Sequence, residues 1–309
     1  MQNHLSTFMN SIFQFRNAVL PAEAALTLMT KAGISAQQPK TDIAQKVLPV
    51  GPEEGILVRT YTPLEGSGPF PVIVYYHGGG WVIADLDTYE PSAQALAAKT
   101  GAIVVSVAYR QAPDFQFPTA HEDAFAAYQW VVENAAELGG DPERVATAGE
   151  SAGGNLAVAV AMMARDQNVP LPVHVASVYP VADGDVQSPS YDQYAKAVPL
   201  NRPLMEWFFK YYTPTEEDKA DPRISLVDAN LEGLPSTTII NAEIDPLQAE
   251  GEELANKLNE AGVNVEHKLY PGVTHEFFGM AGLLEQADEA QDFAASRLKE
   301  AFERGSAQR

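Results

Sequence analysis

The chain has 309 residues, enough to bury roughly three quarters of the surface that the unfolded chain exposes. Its 41 acidic and 20 basic residues give a formal net charge of −21 at pH 7, which disfavours binding to nucleic acid or anionic lipid. The absence of cysteine excludes disulfides, thiol nucleophiles and cysteine metal sites. No run of about 18 consecutive apolar residues occurs, so we expect no membrane span.

The first segment, residues 1–40, is predicted to be helical and to precede the sheet. Ala25, Leu26 and Met29 recur at helical spacing before Gly33. Apolar residues nearer the N-terminus are interrupted by polar ones and follow no basic region, so no signal peptide is recognised. We therefore expect a cytoplasmic protein, with secretion left open.

Residues 41–182 and 236–309 are predicted to form an α/β core. Two β-like stretches near 43–50 and 55–61 indicate an antiparallel pair at a sheet edge. Beyond residue 71, short apolar runs alternate with amphipathic segments, which predicts a mostly parallel sheet flanked by helices. The predicted strands are Val72–Tyr76, Ala102–Tyr109, Val145–Ala148, Val173–Tyr179, Thr237–Asn241 and Val265–Tyr270, and the predicted helices cover about 91–100, 119–137, 152–166, 247–261 and 285–303.

One segment, residues 183–235, breaks this alternation because it has no clear strand and is rich in aromatic residues. We interpret it as an insertion over the sheet. Any single aromatic residue there could be ordinary core, but the cluster as a whole favours the wall of an apolar acyl pocket. The candidate pocket residues are Trp81, Tyr191, Met205 and Phe209.

A candidate nucleophile lies in the sequence Gly-Glu-Ser-Ala-Gly, residues 149–153, between a predicted strand and a predicted helix. This context is typical of a nucleophile elbow, in which small neighbours let the backbone turn sharply beneath Ser151. The N-terminus of the following helix also favours developing negative charge. Alone, the pentapeptide could equally be a glycine-rich turn with an incidental serine.

A second motif makes that alternative much weaker. His77 is followed by Gly78, Gly79 and Gly80 and then by Trp81, at the end of the strand predicted over 72–76. Successive glycines let the backbone approach a substrate carbonyl with no Cβ in the way. The loop is therefore predicted to donate backbone N–H groups to an oxyanion.

Serine needs a base and an orienting acid, which follow it in the order acid, then histidine, in this class of fold. His275 and Asp245 each follow a predicted strand, so both belong on loops at the carboxyl end of the sheet. Asp183 and Glu243 are rival acids that the sequence leaves open, although Glu243 is nearer its strand and suits a bracing role. His77 belongs to the glycine loop and suits an anchoring role better than that of a base.

No metal or cofactor site is predicted. The histidines lack ligand spacing, and no phosphate-binding or dinucleotide-binding glycine motif follows a strand.

Taken together, these motifs resemble the hormone-sensitive-lipase-like family of α/β-hydrolases, in its bacterial esterase branch. The resemblance implies Ser151 as nucleophile, His275 as base and Asp245 as orienting acid. It also implies an oxyanion hole from the glycine loop plus Ala152, and a helical cap built from residues 1–40 and 183–235. The matching stretches are YYHGGGW at 75–81, DLDTY at 85–89, YRQAP at 109–113, GGDPERVATAGESAGGNLA at 139–157, AEIDPLQAEGEELA at 242–255 and GVTHEFF at 272–278.

The chain departs from the family pattern at Ala84, at Gln111 and at Glu276, which replaces a glycine that often follows the histidine. None of these changes removes a catalytic group. We expect a serine esterase that needs no cofactor and acts on small-molecule esters with short to medium acyl chains, with no nucleic-acid partner. An amidase or peptidase is the alternative enzyme, a ligand-binding protein on the same fold is the alternative outside catalysis, and a homodimer is an open possibility.

Overall fold

A computed structural model describes residues 41–307, so the predicted helical part of the cap at 1–40 lies outside the described residues. Eight strands form one sheet in this part of the chain. They are β1 (Thr41–Leu48), β2 (Ile56–Pro63), β3 (Phe70–Tyr76), β4 (Ile103–Val107), β5 (Gly140–Glu150), β6 (Val175–Val178), β7 (Thr237–Ile244) and β8 (Val265–Thr274).

Helices connect most of these strands. Over the described residues they are α1 (Glu90–Thr100), α2 (Thr119–Asn134), α3 (Ala152–Asp166), α4 (Pro189–Gln193), α5 (Arg202–Tyr212), α6 (Glu216–Lys219), α7 (Gln248–Glu260) and α8 (Glu285–Ala307), with 3-10 turns at Ala135–Leu138, Leu226–Asp228 and Phe277–Met280. Within residues 41–307, none of the helices combines the length and the apolar character that crossing a membrane requires.

The strand order is β1-β2-β4-β3-β5-β6-β7-β8. The β1–β2 and β2–β4 pairs are antiparallel, and every other neighbouring pair is parallel. The predicted α/β fold, with an antiparallel edge on a mostly parallel sheet flanked by helices, is therefore confirmed.

Both faces of the central strands are buried, whereas the edge strands β1 and β8 are largely exposed. On β3, Val72 and Val74 face the core layer that includes α2 and α3, whereas Ile73 and Tyr75 face the layer that includes α1 and α8. A strand covered on both faces reads as a continuous apolar run instead of alternating with polar residues. This is why the sequence FPVIVYY has no two-residue periodicity.

Several strands extend beyond their predicted bounds, and the extensions of β7, to Ile244, and of β8 position the candidate site. β5 begins at Gly140, ahead of the predicted Val145, and β8 continues past the predicted end at Tyr270. After an irregularity in the β7–β8 pair, Ile244 pairs with Thr274. The next residue of each strand, Asp245 and His275, therefore leaves the sheet beside the other.

The segment 183–235 contains no strand, as predicted, and its longest helix is α5. Asn201 caps this helix by accepting a hydrogen bond of 3.1 Å from the Leu204 N–H. Met205, Phe209 and Tyr212 are buried on α5. Their spacing anchors the helix to the core along one apolar stripe.

Candidate active site

Ser151 lies in the sharp turn between β5 and α3, with φ 57° and ψ −120°. Its backbone N–H donates to the Val178 carbonyl at 2.9 Å, which ties the turn to β6. A Cβ at Gly149 would lie 2.1 Å from the Gly153 oxygen, and one at Gly153 would lie 1.9 Å from the Tyr76 oxygen. The flanking glycines are therefore required by close backbone approach, as the elbow motif predicts.

His275 and Asp245 form a buried pair. The Nδ1 of His275 lies 2.6 Å from Oδ2 of Asp245, and the other oxygen of Asp245 accepts the Leu247 N–H at 2.9 Å. The Tyr179 ring packs against the imidazole with ring centroids 4.5 Å apart. With Nδ1 directed at the carboxylate, Nε2 is left to face the cleft that Ser151 lines.

The electrostatics of this pair favour a basic imidazole. Burial alone lowers the pKa of His275, but the carboxylates of Asp245, Glu276 and Glu150 raise it above its ordinary value. Accordingly, the structure supplies a base whose protonated form is stabilised.

The two rival acids lie elsewhere. Glu243 accepts the Gly272 N–H at 2.6 Å and so braces the end of β8 that leads to His275. Asp183 accepts the Asp185 N–H at 3.0 Å and lines a separate depression. Of the three candidate acids, the structure brings Asp245 alone to His275.

The glycine loop borders the same cleft. Gly79 and Gly80 have φ of 100° and 58° and line the cleft together with Ser151. Among the described residues, the backbone N–H groups of Gly79, Gly80 and Ala152 have no acceptor. Three N–H groups beside the serine are thus available to a negatively charged oxygen.

Gly78 does not line the cleft and instead belongs to the support of the loop. Its carbonyl accepts from His77 Nδ1 at 2.8 Å. The ring of His77 stacks on Tyr109, whose hydroxyl donates to the His77 carbonyl at 2.8 Å. Burial lowers the pKa of His77 to about 4, so this histidine is a neutral anchor, in the role that the sequence predicted.

The four predicted pocket residues do not line the cleft above Ser151, which corrects that prediction. Trp81 turns inward to stack on Tyr212 at 4.7 Å, Tyr191 and Met205 are buried in the core, and Phe209 borders the depression beside Asp183. Other apolar residues form the wall, and two of them lie on α5, where neighbouring positions point about 100° apart. Those residues are Ile83, Ala84, Pro199, Leu200, Leu204 and Phe208.

Two buried carboxylates near the site were not predicted to take part in it. Glu276 lines the cleft, and its Oε1 lies 3.7 Å from Nε2 of His275. Glu150 lies under the elbow and accepts hydrogen bonds from Tyr75 and Tyr179. Burial and the charge of Glu276 raise the pKa of Glu150 to about 7. The only sequence signal was that Glu276 replaces a common glycine.

Within residues 41–307, no group of three or more His, Cys, Asp or Glu side chains is placed so that it could hold a metal ion. The arrangement places Ser151, the His275–Asp245 pair and backbone N–H donors around one cleft.

Comparisons with known proteins agree with this geometry. A family model described as alpha/beta hydrolase fold matches residues 73–279. The chain is 41% identical to carboxylesterase NlhH of Mycobacterium tuberculosis over 251 residues, covering 80% of this chain and 79% of the relative. It is 36% identical to an ethyl acetate hydrolase of Pseudomonas putida over 247 residues, covering 79% of this chain and 78% of that protein.

Among solved structures, a hyperthermophilic esterase from the archaeon Pyrobaculum calidifontis superposes with a TM-score of 0.83 at 37% identity, covering 90% of each chain. With the family model spanning the motifs from the glycine loop to His275, this chain belongs to the α/β-hydrolase family, in the hormone-sensitive-lipase-like group that its motifs resemble.

Proposed function

We propose that this carboxylic ester hydrolase cleaves short- to medium-chain acyl esters through an acyl-enzyme formed on Ser151. The observation that carries the proposal is the buried Asp245–His275 pair at 2.6 Å, placed in the same cleft as the strained serine turn. Esterase relatives that match most of the chain support the reaction class.

In the first half-reaction, Oγ of Ser151 attacks the ester carbonyl carbon while Nε2 of His275 accepts its proton. The Oδ2 of Asp245 holds Nδ1–H, which fixes the tautomer and stabilises the imidazolium. The imidazolium then gives the proton to the alkoxide as the ester C–O bond breaks. The acyl group is left on Ser151.

The tetrahedral intermediate carries a negative oxygen. We assign its stabilisation to the backbone N–H groups of Gly79, Gly80 and Ala152. Gly79 and Gly80 line the cleft beside Ser151, and Ala152 is the first residue of α3. Preorganised donors of this kind each contribute about 3–4 kcal/mol to lowering the barrier. Water then attacks the acyl-enzyme, with His275 again as the base.

The acyl preference is supported by the apolar wall of the cleft. Pro199, Leu200, Leu204 and Phe208 stand over Ser151 from the segment 183–235, which we propose acts as part of a cap. On α5, the side chains of Met205, Phe209 and Tyr212 are buried in the core, and this packing fixes the wall in place. A long acyl chain would require that wall to move.

The test is the kcat/KM of p-nitrophenyl esters with acyl chains of increasing length. We expect the maximum between about four and eight carbons, since an apolar wall lies close to Ser151. Faster turnover of a sixteen-carbon ester would contradict the proposal. Matched p-nitroanilides test the amidase alternative, and Ser151→Ala serves as the inactive control.

The cytoplasmic location and the homodimer stay predictions. Cell fractionation tests the first, and light scattering of the purified protein tests the second.

A further inference from the structure

Glu276 occupies a costly position in the cleft wall. It follows His275 directly and has φ 68°, a left-handed backbone conformation that disfavours side chains other than glycine. Its carboxylate is largely buried, with the side chain 15% exposed, and it lines the cleft together with Ser151 and His275. A strained backbone and a desolvated charge at the same residue point to a role in the site.

The carboxylate of Glu276 is fixed by one neighbour. The Tyr89 hydroxyl lies 2.7 Å and 2.9 Å from its two oxygens. The Tyr89 hydroxyl lies directly against Gly78, where a Cβ would come within 2.2 Å of the Tyr89 oxygen. The absence of a side chain at Gly78 therefore leaves room for the Tyr89 hydroxyl, which in turn hydrogen-bonds Glu276.

The partner of opposite charge is the imidazole. Within residues 41–307, the cationic group within 4 Å of the Glu276 carboxylate is His275, with Oε1 at 3.7 Å from Nε2. This is the side opposite Asp245, which contacts Nδ1. Once protonated, the ring has a carboxylate on each side.

Other titratable groups also face this pair. The second buried carboxylate, Glu150, is held by two tyrosine hydroxyls, so much of its charge is already compensated. Burial raises the pKa of Glu276, whereas the neighbouring imidazolium lowers it, so the charged forms of Glu276 and His275 stabilise each other. The titratable groups that act on His275 or Glu276 are Tyr75, Tyr89, Glu150, Tyr179 and Asp245.

We propose that Glu276 is a second positioning carboxylate of the reaction, which stabilises the His275 imidazolium from its Nε2 side. This inference rests on the proposed function. The proton moves from Oγ of Ser151 to Nε2 and from there to the departing alkoxide. Glu276 takes no proton at any stage. Its charge lowers the energy of the state in which His275 holds the proton.

The first test measures kcat/KM against pH for the wild type, Glu276→Gln and Glu276→Gly. Removing the charge lowers the plateau by about tenfold, the factor that corresponds to the free energy of one pKa unit. The acid-limb pKa falls by about 1, because the imidazolium loses a carboxylate within ion-pair distance. Glu276→Gly relieves the backbone strain and so keeps the test valid if the Gln variant folds poorly. The control is Glu289→Gln, which removes one exposed charge from α8 and leaves the profile unchanged.

A double-mutant cycle separates electrostatics from packing. If Tyr89 acts by holding Glu276, Tyr89→Phe costs activity in the wild type but little more in Glu276→Gln. Additive losses from the two substitutions would contradict that link.

A second measurement does not depend on turnover. An NMR titration of the His275 ring, assigned with His275→Gln, reports its pKa directly, and we expect Glu276→Gln to lower it by about 1. An unchanged ring pKa and an unchanged acid limb would overturn the inference, even if the plateau fell. Failure of the wild type to cleave any ester would instead contradict the proposed function and leave the titration to decide the inference alone.

Discussion

The middle of the sheet and its carboxyl edge are built on opposite principles. In the middle, β3 is an apolar run buried on both faces. At the edge, buried carboxylates and unusual backbone conformations accumulate around Ser151. Of the six non-glycine residues with positive φ in the described chain, five belong to this edge. They are Trp81, Ala84, Ser151, Tyr179 and Glu276.

This difference shows that strained backbone conformations are concentrated at the carboxyl edge of the sheet. Each residue held in a sparsely populated conformation costs about 1–3 kcal/mol and persists only if its surroundings leave no alternative. The parallel strands β3, β5 and β7 all end at this edge and supply that constraint. Substitutions at the edge should therefore change activity far more than stability, and substitutions in the middle should do the reverse.

The largest effect is expected for Ser151→Ala. Removing one oxygen from the nucleophile should lower kcat by at least about 10⁴-fold. The melting temperature should hold or rise, since the Oγ makes no contact on which the core depends. Ester hydrolysis and thermal unfolding, measured on the same preparation, check both statements, and comparable turnover by the folded variant would contradict the mechanism.

The next largest effect is expected at the orienting acid. Asp245→Asn should lower kcat by up to about 10⁴-fold with little change in KM, because the neutral amide favours the wrong imidazole tautomer. Asp183→Asn is the matched control, since Asp183 bonds to Asp185 away from His275. If Asp183→Asn abolished most of the kcat and Asp245→Asn left it nearly unchanged, Asp245 would not be the orienting acid.

A smaller effect is expected at Gly80, where the glycine loop meets the cleft wall. A Cβ there would lie 2.2 Å from Phe208 Cγ, at a backbone φ of 58°. Gly80→Ala should therefore displace the loop and reduce kcat/KM by about tenfold or more, since small misplacements of catalytic groups cost this much. Adding Phe208→Leu should restore part of the loss. No recovery in the double variant would show that backbone strain, and not the Phe208 contact, dominates.

The smallest effect on activity is expected in the core. Leu156 on α3 is fully buried, so Leu156→Ala should reduce the free energy of unfolding by about 2–5 kcal/mol. The kcat per folded molecule should stay within about twofold. Denaturant unfolding and active-site titration measure the two quantities. A large fall in kcat at full folding would show that the core contributes directly to activity.

Sequence reasoning reached the edge of the sheet because its constraints are local. The elbow needs glycine on both sides of the serine turn, and the acid and histidine need the ends of strands. Each of these requirements leaves a short motif with a physical cause. The resemblance to the family links Ser151, Asp245 and His275 as a triad from their motifs alone.

The pocket wall was beyond the sequence for an equally physical reason. The helix α5 carries two apolar stripes, and periodicity cannot tell which of them faces the core. In the structure Met205 and Phe209 face inward, whereas Leu204 and Phe208 face the cleft. The role of Glu276 was equally hidden, because it depends on Tyr89, which is 187 positions away along the chain.

The pairing of Ile244 with Thr274 across β7 and β8 also fixes when activity can arise. The elbow is complete once β5, β6 and α3 have formed, yet the histidine is supplied by the last strand of the sheet. A nascent chain that has folded as far as β7 therefore holds a serine with no base. Hydrolysis can begin only after the final strand docks. The time at which turnover begins during synthesis or refolding therefore reports when the sheet is complete.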